Sequence, residues 1–599
     1  MSLPNVSDVA LWFALALGLW IFLSKLYQAY ASPLRDVQGP WLARFTRFWY
    51  ARSTYSRQGH KINMDLHKKY GPIVRIAPNE YSIDDLEASK IIYRSRDPLV
   101  KAPRYAGWGL PNAEPSTFTT LDNAHHAARI RQVNSLYQTS ALVNIEYQVD
   151  GATNEFVERL SGFAKEGKTV DMGDWLKYYA FDAVGSLSFG KPFGFLQKGT
   201  DIAGILETIH SYAFYGMVAG IYHEWHPTTY RIWQWLAPKE RGGGIAHIMQ
   251  FAGRAIDDWN QRLESEKAMD EEKTEGGDLL YTNQTGSLLA KVRRNPESFK
   301  AEDIFYHMSM NVLAGGETTA ASTANIVYYL IKNPRVLSKL REELQEALGK
   351  RDEASKRVSV KEAQNVPYLQ AVIKESLRIL PNGLHLPRVV PKGGLNLAGR
   401  FFPEGTKVGI NPWVAHANRS VYGEDADVFR PERWLEEGSM DGENKMEQYF
   451  FTVSAFDALL VFSNPAITTT RGAQNVVFLA QILLSSNARC PTLRVRQERN
   501  YLGVNSTYSL HSLEKRKDAR RTRLANMYGR EQFGRGPRTC LGKNISLMEM
   551  NKLIPELVLR FDIEMAEKDA EWTVYNDWFV KQEGFRVKVS KRQETGVLL

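Results

Sequence analysis

Cysteine is scarce in this chain of 599 residues, which contains only Cys490 and Cys540. Two cysteines cannot build a disulfide framework, so a disulfide-rich secreted domain is excluded and a reducing compartment is predicted for the body of the protein. Internal repeats and strong compositional bias are lacking too, which excludes solenoid and collagen-like architectures. With 43% hydrophobic and 24% charged residues, the bulk of the chain is predicted to be globular.

Long apolar runs are also rare, and the most evident one lies near the N-terminus. Residues 9–23 are all apolar or glycine, and about 15 to 17 residues of helix come near the lower limit for a bilayer span. Basic residues follow the run and none precedes it, which by the positive-inside rule leaves the rest of the chain in the cytosol. We therefore predict a single-pass signal anchor in the endoplasmic reticulum membrane (1–25), followed by a Pro/Gly tether (26–45). A cleaved signal peptide, suggested by Ala29-Tyr30-Ala31, and a buried core helix are the alternatives.

The formal net charge of +9 is concentrated in one segment. Between Val453 and Gln532 stand 12 Lys/Arg and 5 Asp/Glu, which is +7 of the +9. The basic cluster from Lys515 to Arg523 within that segment is typical of a nuclear-localisation or nucleic-acid patch, but a solvated charge run is the interpretation we favour. No nucleic-acid partner is predicted, because the rest of the chain is nearly neutral.

Helical periodicity dominates the sequence. The predicted helices are 124–137, 147–164, 175–189, 245–266, 301–331, 334–348 and 545–561. Two short alternating runs, Ile73–Ile76 and Tyr81–Ile83, predict a β-hairpin, and strands are otherwise few. The acidic segment 270–278 predicts a surface loop. The fold class is therefore predicted to be mainly α with small β-sheets.

A glycine-rich loop, Phe533-Gly534-Arg535-Gly536-Pro537-Arg538-Thr539-Cys540-Leu541-Gly542, leads into the last predicted helix. A helix N-terminus and a nearby arginine favour the thiolate form of a cysteine, and glycines let backbone N–H groups reach the sulfur. Such hydrogen bonds tune a thiolate ligand on iron. A buried structural thiol is the alternative for a lone cysteine in such a turn.

The spacing of Phe, Gly, Arg, Cys and Gly in this loop resembles the haem-binding loop of the cytochrome P450 family. The resemblance implies that Cys540 is the axial ligand of the iron in heme b (iron protoporphyrin IX), that Phe533 shields the sulfur, and that Arg538 reaches a haem propionate. It also implies a cytochrome P450 fold with the haem between this loop and the long helix 301–331. The runs 543–547 and 448–450 are similar to those of the fungal, microsomal, pisatin-demethylase-like group of secondary-metabolism monooxygenases.

A second motif, Ala314-Gly315-Gly316-Glu317-Thr318-Thr319, lies inside the long helix, where glycine and threonine are poor choices for stability. Small residues let a flat ligand approach, and a threonine hydroxyl that bonds an earlier carbonyl makes room for water or dioxygen. Glu317 and Thr318 resemble the acid–alcohol pair of the family, which relays protons for O–O cleavage. Close helix packing is the alternative explanation for the two glycines.

Three charged residues are predicted to form a structural network. Glu375 and Arg378 stand at i and i+3 on one helix face, a spacing that by itself is typical of many solvated helices. Arg433, in Pro431-Glu432-Arg433-Trp434, resembles the family arginine that joins this pair. The resemblance implies a buried Glu–Arg–Arg network that holds the core around the haem.

Further haem contacts are expected from a strand and from an early helix. Arg388 lies in Leu386–Pro391, which resembles the strand that sends an arginine to a propionate. His126 and Arg129 are the expected contacts on the early helix. Ile130 stands where the family usually has a basic residue, so a surface role for Arg129 and Arg131 stays open.

The segment 453–532 departs from the family pattern. Trp434 and Phe533 are 99 positions apart, whereas the family needs only a few tens of residues between these motifs. Joining Thr452 to Phe533 restores that spacing, and Val453-Ser454 and Gln532 can be encoded by intron ends. We predict a catalytic domain of 46–452 and 533–599, interrupted by a retained intron or a disordered insertion. A regulatory insert is the alternative.

The resemblance implies a monooxygenase that inserts one oxygen atom from O2 into a small, largely apolar substrate. NADPH-cytochrome P450 reductase is the expected partner and electron source. Substrate contacts are expected from Lys101–Phe118, Ile205–Trp235, Val312–Gly316 and Leu384–Leu386. One alternative is a haem-thiolate isomerase or dehydratase, which the presence of Glu317 and Thr318 argues against. The other is an inactive pseudoenzyme, if the insertion is real and distorts the cysteine loop.

Overall fold

A computed structural model describes residues 6–111, 114–236, 245–269, 282–294, 299–349, 357–436, 445–451 and 536–592. In chain order the α-helices are α1 Val6–Ala31, α2 Phe48–Tyr55, α3 Gly59–Tyr70, α4 Leu86–Ile92, α5 Asn123–Val133, α6 Thr139–Leu142, α7 Tyr147–Glu166, α8 Met172–Phe189, α9 Phe195–Lys198, α10 Ile205–Ala219, α11 His226–Leu236, α12 Ile245–Met269, α13 Gln284–Arg294, α14 Ala301–Lys332, α15 Pro334–Leu348, α16 Val360–Gln364, α17 Pro367–Ile379, α18 Pro412–His416, α19 Arg419–Tyr422, α20 Lys445–Gln448 and α21 Lys543–Arg560. The strands are β1 Ile73–Ala77, β2 Glu80–Ile83, β3 Thr169–Asp171, β4 Arg388–Val389, β5 Leu395–Leu397, β6 Arg400–Phe402, β7 Lys407–Gly409, β8 Phe561–Met565, β9 Thr573–Asp577, β10 Phe579–Glu583 and β11 Arg586–Lys591. Short 3-10 helices that bear on the site are Pro103–Trp108, Asn134–Tyr137, Gly220–Trp225, Pro431–Trp434 and Gly536–Arg538.

Helix α14 is the central element of the fold. It packs against α8, α12, α17 and α21, and most of its length is buried. Its start is fixed because the Lys300 backbone N–H donates to Asp303 Oδ2 at 2.9 Å. Its end is set by Pro334, which opens α15 and cannot continue a preceding helix. The segment 314–319 is therefore held in the interior of the molecule.

The strands form small sheets at the edge of the helical body. One sheet has the order β1-β2-β7-β4, a second has the order β3-β11-β8, and two pairs are β9-β10 and β5-β6. The β1–β2 hairpin pairs Ile73 with Ile83 in antiparallel register, as the alternating runs predicted. The architecture is mainly α with small sheets, which confirms the predicted fold class.

Most predicted helices are present with small changes at their ends. The predicted helix 124–137 ends earlier than its periodicity suggested. Helix α5 stops at Val133, and the next four residues form a 3-10 turn. Its apolar spacing continues through that turn, so the pattern alone does not mark the change. The predicted loop 270–278 and the predicted insertion 453–532 lie outside the described residues.

The N-terminal helix α1 has a candidate membrane span, Ala10–Ala31, with a mean hydropathy of 1.7 and its most apolar window unburied. It continues to Ala31, six residues into the predicted tether, because no helix breaker occurs before Pro33. The residues that follow are packed on the body rather than free. Arg75 donates from its backbone N–H to Gln38 O at 2.8 Å and from Nη2 to Leu34 O at 2.6 Å.

Candidate active site

Cys540 lies between the 3-10 turn Gly536–Arg538 and the first residue of α21. It is in no disulfide and only 6% exposed, and it is the one cysteine among the described residues. A cavity of about 40 Å³ lies between this residue and Ala314, Gly315 and Thr318 of α14. A second cavity, of about 630 Å³, also reaches Cys540 and is lined mainly by α21 and the turns after α5. A buried thiol thus faces the small-residue motif of the central helix.

The motif on α14 places the Thr318 hydroxyl beside the cavity next to Cys540, and its two glycines pack closely against α8. Thr318 donates from Oγ1 to Ala314 O at 3.0 Å, one turn earlier in the helix. A Cβ on Gly315 would lie 2.7 Å from Val184, and one on Gly316 would lie 2.2 Å from Phe181. Close packing against α8 therefore accounts for both glycines, while Gly315 also lines the cavity next to Cys540.

Glu317 turns away from Thr318. Its side chain is 2% exposed, and its Oε2 lies 3.1 Å from Nε2 of His210 on α10. Burial acts to raise the pKa of Glu317, but the nearby His210, Lys177 and Lys581 outweigh it and lower that pKa. No sequence pattern singled out His210, because its partner lies about a hundred positions away in the chain. Only the packing of α10 over α14 reveals it.

Arg388 and Arg538 are two of the expected propionate contacts. Arg388 is buried, its Nη1 lies 3.5 Å from the Tyr105 hydroxyl, and no carboxylate among the described residues is within 4 Å of it. Arg538 donates to Thr117 O at 3.1 Å and to Asn123 Oδ1 at 2.9 Å. It therefore joins the cysteine loop to the start of α5.

The predicted contacts on α5 lie in different surroundings. His126 is buried, whereas Arg131 is exposed. Arg129 forms ion pairs with Asp303 of α14 and with Glu114, the latter at 3.1 Å. Burial acts to lower the pKa of Arg129, but the two carboxylates raise it overall. Arg129 thus pairs with carboxylates of the protein itself. The predicted sulfur shield, Phe533, lies outside the described residues.

Glu375, Arg378 and Arg433 come together in one buried network. Arg378 donates to the two Glu375 oxygens at 2.8 and 2.9 Å, and Arg433 Nε donates to Glu375 Oε1 at 3.0 Å. Trp434 adds an indole N–H at 2.9 Å. All three charged side chains are at most 1% exposed. The network ties α17 to the 3-10 turn Pro431–Trp434.

An aromatic cluster joins two predicted substrate-contact segments, Lys101–Phe118 and Ile205–Trp235, to the β9–β10 hairpin. Tyr105, Trp108 and Phe118 pack against Trp578, and the ring centroids of Trp108 and Trp578 are 4.6 Å apart. Trp108 Nε1 also donates to Ala213 O of α10 at 3.2 Å. Trp578, in the turn between β9 and β10, was not predicted because its hairpin is far from the other segments in the chain.

The residues present fit a haem group by the chemistry of their donors. Cys540 offers a buried thiol just before the first residue of α21, and a thiolate is favoured at a helix N-terminus. Small residues and a hydroxyl face it from α14. Arg388 offers a buried cation with no carboxylate within 4 Å among the described residues, which suits a propionate.

Comparisons with known proteins agree with this site. A profile of the family described as Cytochrome P450 matches residues 37–454 and 529–589. Pisatin demethylase of Fusarium vanettenii is 33% identical over 559 residues, which cover 93% of this chain and 90% of the relative. A cytochrome P450 monooxygenase of Penicillium aethiopicum is 28% identical over 586 residues, covering 95% of each chain. Another, of Emericella nidulans, is 29% identical over 573 residues, covering 94% of this chain and 92% of the relative.

The matched family defines the class of protein, an oxidoreductase with a haem-iron cofactor. More particularly, the chain belongs to the cytochrome P450 family, and it is a monooxygenase.

Proposed function

We propose that this monooxygenase holds heme b through Cys540 and inserts one oxygen atom from O2 into a small, largely apolar organic substrate. The observation that carries the proposal is the buried thiol of Cys540 across a cavity from Ala314, Gly315 and Thr318. When bound, the haem supplies dioxygen activation driven by electron donation from its thiolate ligand. Electrons would come from NADPH through NADPH-cytochrome P450 reductase.

Arg388, Arg538 and His126 are the proposed partners of the haem propionates. Arg388 is the strongest of the three because it is buried without a carboxylate within 4 Å among the described residues. Arg129 is a weaker candidate, since a propionate would compete with Asp303 and Glu114 for its guanidinium. Phe533 keeps its proposed role as a shield of the sulfur.

Thr318 and Glu317 are proposed to deliver protons. The Thr318 hydroxyl lines the cavity beside Cys540, where it can pass on a proton that an acid or water then returns to it; in the structure it donates to Ala314 O. Glu317 is a buried acid on the adjacent position, but its carboxylate has to leave His210 before it can act next to Thr318. This acid–alcohol pair favours oxygen insertion over an isomerase or dehydratase reaction.

The aromatic cluster of Tyr105, Trp108, Phe118 and Trp578 supports an apolar substrate. Phe118 packs edge to face against Tyr105 and Trp578, and Trp108 and Trp578 pack at a tilt, so the rings offer a water-poor wall for a flat or aromatic molecule. Pisatin demethylase, among the relatives, acts by its name on pisatin. We infer a substrate of fungal secondary metabolism for this chain.

We also propose that α1 anchors the protein in the endoplasmic reticulum membrane with the catalytic domain in the cytosol. Its apolar, unburied span supports this. We further propose that residues 453–532 are a retained intron or an insertion outside the catalytic domain. The interruption of the family match between residues 454 and 529 supports that proposal.

The carbon monoxide difference spectrum of the reduced protein tests the haem assignment. The full chain, a variant lacking residues 453–532 and Cys540→Ala in each background are compared. We expect a thiolate-type band that disappears with Cys540→Ala. A band in the shortened form alone would mean that the full chain is inactive. No such band in either folded form would refute the proposed haem site.

A further inference from the structure

Trp578 occupies the tip of the β9–β10 hairpin in a backbone conformation that tryptophan rarely adopts. Asp577 pairs with Phe579 across the turn, so Trp578 is the one residue between the paired positions, and its φ is +79°. A glycine would adopt this conformation without the steric cost that a bulky side chain carries. Strained residues persist where the surrounding structure holds them, and they cluster at ligand sites. The conformation of Trp578 thus points to a function for its indole ring.

Hydrogen bonds hold this turn to the segment before β4. The Gly383 backbone N–H donates to Trp578 O at 3.0 Å, and Asn576 Nδ2 donates to Gly383 O at 2.9 Å. The Trp578 backbone N–H donates to Asn576 Oδ1 at 3.2 Å. Because these bonds fix the backbone on both sides of the Trp578 side chain, the fold sets the direction in which the indole points.

The same segment fixes the turn relative to α14. Asn382 donates from Nδ2 to Thr318 O at 3.3 Å, and its Oδ1 accepts the Val580 backbone N–H at 3.3 Å. Asn382 is buried, so bulk water does not compete for these bonds. A group held at Trp578 would therefore stand at a set distance from the cavity that Thr318 shares with Cys540.

The indole N–H of Trp578 is buried and has no acceptor among the described residues. Trp578 is 1% exposed, and its ring packs against the rings of Tyr105, Trp108 and Phe118. The neighbouring indole of Trp108 is satisfied, because its Nε1 donates to Ala213 O at 3.2 Å. A buried donor without an acceptor is costly, and an indole can only donate, so an acceptor oxygen is the group that complements Trp578.

We propose that Trp578 is a specificity-determining residue whose indole N–H donates to an uncharged oxygen of the substrate, a ketone or an ether oxygen. An uncharged oxygen suits this place because burying a charge among aromatic rings is costly. The inference rests on the proposed function and narrows its substrate class to flat, largely apolar molecules that carry such an oxygen. Entry of the molecule would exchange contacts between rings for contacts of the same kind with the substrate. Because the turn is tied to α14, the place of the oxygen in the molecule would decide which carbon lies beside Thr318.

Binding of two matched pairs of probes to the full-length protein tests the inference. Fluorenone differs from fluorene by a ketone oxygen, and xanthene differs from dihydroanthracene by an ether oxygen in place of a CH2 group. Equilibrium dialysis measures the dissociation constant of each probe. The native protein is expected to bind the oxygenated member of at least one pair about tenfold more tightly, as one buried hydrogen bond provides. Equal binding within both pairs, or binding of no probe, would overturn the inference.

Trp578→Phe removes the N–H and keeps an aromatic ring, so the preference for the oxygenated probe is expected to disappear. The matched control is Trp259→Phe on α12, which removes another buried indole N–H with no acceptor in the described part of the chain. It is expected to keep the native preference. A preference that survives in Trp578→Phe, or that is lost in Trp259→Phe, would contradict the assignment. Circular dichroism establishes that each variant is folded.

Ultraviolet resonance Raman spectroscopy of the native protein gives a readout that a purely structural role of Trp578 would not move. The indole band that responds to N–H hydrogen bonding is expected to shift when the oxygenated probe binds and to stay in place with its hydrocarbon partner. An unmoved band would refute the inference even where the Trp578→Phe protein fails to fold. Neither measurement needs turnover. Absence of the thiolate-type carbon monoxide band would therefore refute the proposed function, whereas a native protein with that band and no probe preference would refute only this inference.

Discussion

Removal of the Glu375 carboxylate is expected to destabilise the protein more than any single surface change. Five N–H groups converge on it, from Arg378 Nε and Nη2, Arg433 Nε, Trp434 Nε1 and the Arg430 backbone. In Glu375→Ala two guanidinium groups, each 1% exposed, lose the carboxylate between them. Breaking a buried ion pair by removing one partner costs about 3–5 kcal/mol. That is a large part of a total stability of about 5–15 kcal/mol.

Urea unfolding followed by tryptophan fluorescence at 25 °C measures this loss in free energy. The matched control is Glu424→Ala, which breaks a pair with Arg419 whose side chains are 59% and 88% exposed. Exposed pairs contribute about 0–1 kcal/mol. We expect Glu375→Ala to lose about 3–5 kcal/mol, or to yield no folded protein, while the control is nearly native. A Glu375→Ala protein within about 1 kcal/mol of the control would refute this reasoning.

Three further predictions concern the site, the pH response and the membrane. Thr318→Ala removes the hydroxyl beside Cys540, and we expect several-fold more hydrogen peroxide per NADPH consumed; an unchanged peroxide yield would exclude the hydroxyl from proton delivery. His416 accepts the Phe451 backbone N–H at 2.7 Å, and burial lowers its pKa to about 3. Because the unfolded chain binds a proton that the folded one excludes, stability should fall by about 2 kcal/mol through His416 between pH 7 and 5. His416→Gln should flatten the unfolding free energy against pH by that amount, and equal slopes would contradict it. Deletion of residues 6–31 should abolish flotation with phospholipid vesicles, whereas continued flotation would mean that another surface binds the membrane.

Local sequence patterns predicted the helices that bury one face against the core. Helices α7, α8 and α15 lie close to their predicted ranges because apolar residues recur with the helical period along each of them. Helix α1 was predicted too short, since the uninterrupted apolar run ends at Leu23 and polar residues are mixed into its last turns. The 3-10 turn after α5 was missed because its residues continue the apolar spacing.

The sequence did not predict contacts between residues that are distant in the chain. For Arg129 both a haem contact and a surface role were left open, and its guanidinium contacts Asp303 and Glu114, which no local spacing relates to it. Trp578 joins the aromatic cluster only because the β9–β10 hairpin folds over the loop containing Trp108.

The sequence by itself determined the family, the cysteine loop, the α14 motif and the residues of the Glu–Arg–Arg network, because each depends on residue types at short fixed spacings. Only the tertiary structure decided that Glu317 pairs with His210 and that both glycines of α14 pack against α8. These contacts form when helices distant in the chain are brought within a few ångströms by burial of the core, and no pattern within one segment records which side chains will meet.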